Sequence, residues 1–189
     1  MKKILGVMGS PRQGGNTDTL MQEVARGVRD SGGIMEIVAL KGLTVDECDG
    51  CHVCWQDKAC AKKDDMNDIF PRIIDSDAVV FGTPVYWYAP TALMKAFIDR
   101  FVYFNCDEHR GRIRGKAAAI VVPYEDTDAD TAAPVVDFFE RSLAYLEMPF
   151  AGQVVVPGVT KRGEVKGSPD AMVAAYDLGR RLAGERAAG

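Results

Sequence analysis

Short apolar runs alternate with helical stretches along the whole chain, and that alternation admits few architectures. Residues 3–8, 35–40, 78–82, 117–122 and 153–156 read as strands. Between and after them lie helical periods at about 17–31, 67–75, 90–104, 130–146 and 168–181. In the third of these, Ala92, Lys95, Ala96 and Asp99 are spaced so that an apolar face separates from a polar one. Strand and helix in strict alternation predict an α/β fold, a parallel sheet covered on both faces. Five strands with helical crossovers fit either common doubly wound order. Both orders place a ligand in the crevice at the carboxyl ends of the strands. No repeat, low-complexity block or linker interrupts the pattern, so residues 1–189 read as a single domain, with a cysteine-rich insertion at about 43–65. The closing Ala/Gly tail reads as a frayed end.

The loop after the first strand is Gly9-Ser10-Pro11-Arg12-Gln13-Gly14-Gly15-Asn16-Thr17. It opens a helix, whose free N–H groups and dipole favour an anion. Ser10, Asn16 and Thr17 add side-chain donors and Arg12 a cation, while Gly14 and its neighbour let the backbone close around a phosphate. The pattern matches neither the nucleoside-triphosphate loop nor the dinucleotide fingerprint. A plain strand–helix turn capped by Asn16 or Thr17 needs fewer polar groups than stand here.

After the third strand come Thr83-Pro84-Val85-Tyr86-Trp87-Tyr88-Ala89-Pro90. Three aromatic residues in one loop are hard to place in a core, because loops run over the surface. Held between prolines, Pro84, Val85, Tyr86, Trp87 and Tyr88 can lay backbone N–H groups and ring faces against a flat heteroaromatic ligand. They can equally serve a subunit interface, where aromatic residues are enriched.

Cys48, Cys51, Cys54 and Cys60 are spaced C-x2-C-x2-C-x5-C. Soft thiolates select zinc, Cu(I) or an iron–sulfur cluster. Structural zinc sites pair two separated C-x2-C knuckles, whereas three cysteines in one such run are the bacterial [4Fe–4S] arrangement, which Cys60 would complete. Zinc, and a thiol or disulfide role without metal, stay open. Gly50 permits a tight turn between the first two cysteines. His52 is left without a role, and Cys106 reads as a small, half-buried residue.

The net charge of −4 provides no basic field for nucleic acid. No apolar stretch reaches the roughly 18 residues that span a membrane, and the apolar start breaks at once into Gly and Pro, unlike a secretory leader. A cytoplasmic location is expected, where grouped thiols stay reduced.

GSPRQGGNT after strand one and TPVYWYAPTALMKAFIDRF after strand three together resemble the flavodoxin-like, NAD(P)H-dependent FMN reductase family. The cysteine run followed by Asp64-Asp65-Met66 resembles, more narrowly, its iron–sulfur flavoprotein branch. The likeness spans residues 1 to about 104. It implies a three-layer fold with strand order 2-1-3-4-5, FMN with Ser10, Arg12, Asn16 and Thr17 at its phosphate, and Pro84 to Tyr88 along its ring system. It also implies a homodimer or homotetramer with cofactors near subunit contacts. Where family members carry a glycine-containing loop after strand four, this chain has Pro123-Tyr124-Glu125-Asp126-Thr127-Asp128-Ala129-Asp130. Tyr124 can stack there, but the acids read as caps for the next helix, Thr127 or Asp128 above all.

The expectation is therefore an oxidoreductase carrying FMN and one [4Fe–4S] cluster, exchanging electrons between two-electron and one-electron carriers. NAD(P)H or a ferredoxin-like protein is the expected donor, without nucleic-acid or membrane partners. The alternative is an NAD(P)H-dependent FMN or quinone reductase without a cluster. An acidic docking patch at 125–130 on an electron carrier, or a zinc-stapled interaction protein, would be the non-enzymatic cases.

Overall fold

The structure is a computed structural model of the chain, and residues 1–184 are described. The tail expected to fray lies outside the described residues beyond that point. The strands are β1 (Lys3–Met8), β2 (Ile34–Ala39), β3 (Ala78–Gly82), β4 (Val85–Tyr86), β5 (Ala89–Pro90), β6 (Ala117–Pro123) and β7 (Phe150–Val156). The helices are α1 (Asn16–Asp30), α2 (Met66–Asp75), α3 (Ala92–Asp99), α4 (Asp107–Arg110), α5 (Ala133–Tyr145) and α6 (Pro169–Leu182). Five strands form one sheet in the order β2-β1-β3-β6-β7, every pairing parallel. Counting those five alone, this is the order 2-1-3-4-5. β4 and β5 form a separate two-stranded hairpin.

Each strand has a period of two, so consecutive residues serve opposite faces of the sheet. Ile4, Ala78, Val80, Ala119 and Val121 pack under α1 and α6, with Leu20, Val24, Ala175 and Leu178. Leu5, Val7, Val79, Phe81, Ile120 and Val122 face α2, α3 and α5, with Ile69, Phe97 and Phe139. Both faces are apolar, which is why these strands read as unbroken hydrophobic runs.

The differences from sequence expectation lie at element ends and have local causes. The stretch 90–104 is not one helix. Pro90 belongs to β5, Thr91 caps α3 by accepting from the Met94 amide at 3.2 Å, and Arg100–Phe104 tightens into a 3₁₀ turn. β7 begins three residues earlier than expected, at Phe150. Gly152, at φ 136°, sits at a register shift that breaks the alternation a strand should show. Asp128 caps a short 3₁₀ turn before α5 by accepting from the Asp130 amide at 3.0 Å, the capping role expected of it.

Among the described residues, Ser31 Oγ and the His109 ring are buried polar groups without a partner, and the ring is the larger of the two. His109 is 2% exposed and stacks on Tyr103 at 4.0 Å, yet neither ring nitrogen reaches a hydrogen-bond partner among the described residues. An unsatisfied buried polar group costs about 1–3 kcal/mol. His109→Phe keeps the stack and removes the orphaned nitrogens. Thermal melts should show it stabilised by about 1 kcal/mol, or about 2–4 °C for a chain of this size, and a lowered midpoint would contradict this reading.

Candidate functional site

The carboxyl ends of β1, β3, β6 and β7 meet in one crevice. From the β1 loop come Ser10, Arg12, Gly15, Asn16 and Thr17, and from the turn after β3 come Pro84, Val85 and Tyr86. Pro123, Tyr124 and Glu125 line it beyond β6, and Val159 and Thr160 beyond β7. Seven of the ten residues expected around a cofactor thus share one pocket, whereas Gly14, Trp87 and Tyr88 do not line it. Gly14, at φ 65°, shapes the turn instead, its amide donating to Asp18 Oδ2 at 2.8 Å.

The anion end is built from backbone. Gly15 is the N-cap of α1 and offers no side chain to cap it, so the first helical N–H groups face the crevice without a protein acceptor of that kind. A Cβ at Gly15 would stand 3.0 Å from the Arg12 carbonyl oxygen, so the loop closes this tightly only around glycine. Ser10 is 4% exposed and its Oγ accepts from the Arg12 amide at 3.2 Å. Two expected donors are partly committed within the protein. The Arg12 guanidinium donates to the Thr160 carbonyl at 3.3 Å. Asn16 donates to the Val159 carbonyl at 3.2 Å and accepts from the Val165 amide at the same distance, which fastens the 159–165 segment over the crevice.

The ring side is a hairpin under strain. Val85 pairs with Pro90 and Tyr86 with Ala89, leaving Trp87 and Tyr88 as a two-residue turn. Both have positive φ, 50° and 60°. A turn of this hand normally recruits Asn-Gly, because aromatic residues resist the left-handed region. Such strain persists only where its surroundings enforce it. Here Thr91 Oγ1 donates to the Gly9 carbonyl at 2.6 Å and the Thr91 amide to Thr83 Oγ1 at 3.1 Å, pinning the hairpin's base to the β1 loop. Trp87 is left 94% exposed and Tyr88 59%.

Sequence reasoning missed Gly15, Pro123, Val159, Thr160 and Glu125 as lining residues. Burial and nearby Asp126 hold the Tyr124 phenol above its ordinary range, so it remains a protonated donor at the crevice wall.

The four cysteines line a second pocket, with His52, Arg100, Val102 and Tyr103. Cys54 is buried, Cys48 and Cys60 half-buried, and Cys51 exposed, all as free thiols. Burial, then the neighbouring Cys60, pushes the Cys54 thiol up to about 11. Among the described residues, no three His, Cys, Asp or Glu side chains form a group that could hold a metal ion. The cysteine loop is tied down at both ends: the Thr44 amide donates to Asp65 at 2.7 Å, the Asp46 amide to Asp64 at 3.0 Å, and Trp55 Nε1 to the Val102 carbonyl at 2.8 Å. Cys106 lies outside this pocket, its thiol 3.7 Å from the Tyr103 carbonyl. Among the described residues no helix is long and apolar enough to cross a membrane.

The crevice fits a phosphorylated planar ligand: an uncapped helix start and a cation at one end, Tyr86, Tyr124 and Val85 at the other. Fold and crevice together define a flavodoxin-like α/β protein. A profile of the family described as NADPH-dependent FMN reductase matches residues 2–160, and the chain belongs to that family. An iron–sulfur flavoprotein of Archaeoglobus fulgidus is 34% identical over 122 residues, covering 65% of this chain and 54% of its own length. The chain thus spans about half the length of this relative. A second iron–sulfur flavoprotein of the same organism is 29% identical over 165 residues, 87% of this chain and 81% of its own. Among solved structures, the Trp repressor binding protein of Bacillus subtilis superposes with a TM-score of 0.72 at 24% identity, covering 93% of this chain and 98% of its own, a likeness of fold.

Proposed function

We propose that this chain is an FMN-binding oxidoreductase that takes electrons from a reduced nicotinamide and relays them singly through a [4Fe–4S] cluster held by Cys48, Cys51, Cys54 and Cys60. The observation that carries the reading is the presence on one chain of two separate pockets, one with an uncapped helix start and one ringed by four thiols. When bound, FMN supplies a two-electron acceptor and the cluster a one-electron carrier. The protein's own groups do the rest. The N–H groups at the start of α1, with Ser10, Thr17 and Arg12, hold the phosphate. Pro84, Val85, Tyr86 and Tyr124 frame the ring system, and the pinned hairpin keeps that frame rigid. The exposed Trp87 and Tyr88 support a homo-oligomer that covers them, dimer or tetramer. The match to an NADPH-dependent family and the iron–sulfur names of both archaeal relatives support the donor and the cluster.

Titration with FMN and with riboflavin tests the crevice. Hydrogen bonds to charged groups contribute roughly 1.5–3 kcal/mol, and Arg12 stands at the exposed end of the scale. Arg12→Ala should therefore weaken FMN about tenfold while leaving riboflavin nearly unchanged. Equal losses for both ligands would remove the phosphate from this end of the crevice.

A further inference from the structure

Among the described residues, Arg100 heads the largest fully buried side chains, and it does not line the flavin crevice. It follows α3 directly, and its guanidinium lies at the wall of the cysteine pocket. One terminal nitrogen donates to the Asp46 carbonyl at 3.0 Å and to Asp64 Oδ2. The other donates to Asp64 Oδ1 at 3.1 Å and to the Cys60 sulfur, also at 3.1 Å. Four of its five N–H donors are thus occupied. The side chains of Arg100 and Asp64 are each 1% exposed. An ion pair alone would need only the carboxylate. The two remaining contacts reach the chain just before the first cysteine and the sulfur of the last, so one planar fork closes the loop from both ends. A lysine, with a single point of charge, could not make this set.

The geometry points to Arg100 as the residue that sets the reduction potential of the cluster through the Cys60 sulfur, with Asp64 as its counter-charge. This rests on the cluster reading given above. Gaining one electron makes a thiolate-held core more negative, and no bond forms or breaks. A charged donor on a ligand sulfur favours the more negative state and so raises the potential. Asp64 pulls the other way, and burial leaves both groups poorly screened by solvent. The pair therefore holds two opposed levers on one sulfur.

The test is a redox titration of the flavin-loaded chain reconstituted anaerobically with iron and sulfide, followed by the cluster's paramagnetic signal. Asp64→Asn leaves the donor and removes the counter-charge, so the midpoint should move to more positive potential. Arg100→Gln leaves a carboxylate beside the sulfur without its cation, so the midpoint should move to more negative potential. Because each single change strands a buried charge, the uncharged double variant Arg100→Gln/Asp64→Asn is measured alongside and should fall between them. If Arg100→Gln keeps its flavin but assembles no cluster, the order of wild type, Asp64→Asn and the double variant still decides the sign. Midpoints unmoved, or moved to the same side by both single changes, overturn the role of Arg100. A wild-type chain that takes up no iron and sulfide overturns the cluster reading beneath it.

Discussion

Cys54→Ser is expected to lose essentially all bound iron and acid-labile sulfide while keeping FMN at wild-type stoichiometry. Cys54 sits in the 3₁₀ turn Val53–Gln56, whose flanking residues His52 and Asp57 both have positive φ, 55° and 56°. One left-handed residue on each side of this turn thus helps aim a buried thiol at the pocket, and neighbouring backbone has little freedom to offer a substitute. A serine hydroxyl is a hard oxygen donor and stays protonated where a soft thiolate is required. The flavin should be spared because the crevice and the cysteine pocket share no lining residue. Cys54 also packs in the core, so serine there will cost some stability by burying a hydroxyl. Cys51→Ser separates the two effects: Cys51 is exposed, so its loss should abolish the cluster at no cost to the fold. Iron, sulfide and flavin are measured on anaerobically reconstituted protein. Full iron in either variant would return the cysteine loop to a role without a cluster, the reductase alternative.

What was legible in the sequence divides along a physical line. The strand cores were legible because period and apolarity are local, as at Ala78–Gly82, where the expected and observed strand coincide. Ser10, Arg12 and Thr17 were legible because polar side chains exceeded what a turn between β1 and α1 needs. Val159 and Thr160 were not, since they meet the crevice mainly through carbonyl groups, to which Asn16 and Arg12 donate, and every residue has a carbonyl. The hairpin was hidden for the opposite reason. Trp87-Tyr88 carries none of the Asn or Gly that announces a left-handed turn, and only the Thr83–Thr91–Gly9 hydrogen bonds explain its hand. The acids after β6 split: Asp128 caps as its residue type suggests, Asp126 accepts from the Asp128 amide in the turn before it, and Glu125 reaches the crevice, which its type does not signal. Arg100 carries no local signal of its role, because its partner Asp64 stands 36 residues away.

The largest effect on stability should come from two glycines far from either pocket. α1 and α6 cross where Gly27 faces Gly179's helix, and the contact is backbone to backbone. A Cβ built at Gly27 would run into the Tyr176 carbonyl oxygen and come within 3.2 Å of the Arg180 amide. One built at Gly179 would run into the Val24 carbonyl oxygen and approach the Val28 amide to 2.9 Å. Neither obstacle is a flexible side chain, so either alanine must push a whole helix away. Alanine gains about 1 kcal/mol of helix propensity over glycine. Forced overpacking typically costs about 1–3 kcal/mol, and more where backbone must move. Parting α1 from α6 also loosens Leu20, Val24, Ala175 and Leu178 from their common core. Each single alanine should therefore destabilise by roughly 2–4 kcal/mol net in urea unfolding. The Gly27→Ala/Gly179→Ala variant should cost clearly less than the sum, because one separation of the helices relieves both collisions. Gly111→Ala supplies the control: nothing lies within 4 Å of its Cβ position, so it should be near neutral. Full additivity, or a net gain from either alanine at the crossing, would show that the helices are not held this close. The consequence reaches the crevice, since α1 carries at its start the N–H groups proposed to hold the phosphate. A helix displaced at Gly27 pivots that end, so FMN should bind more weakly in the alanine variants even though neither glycine touches it.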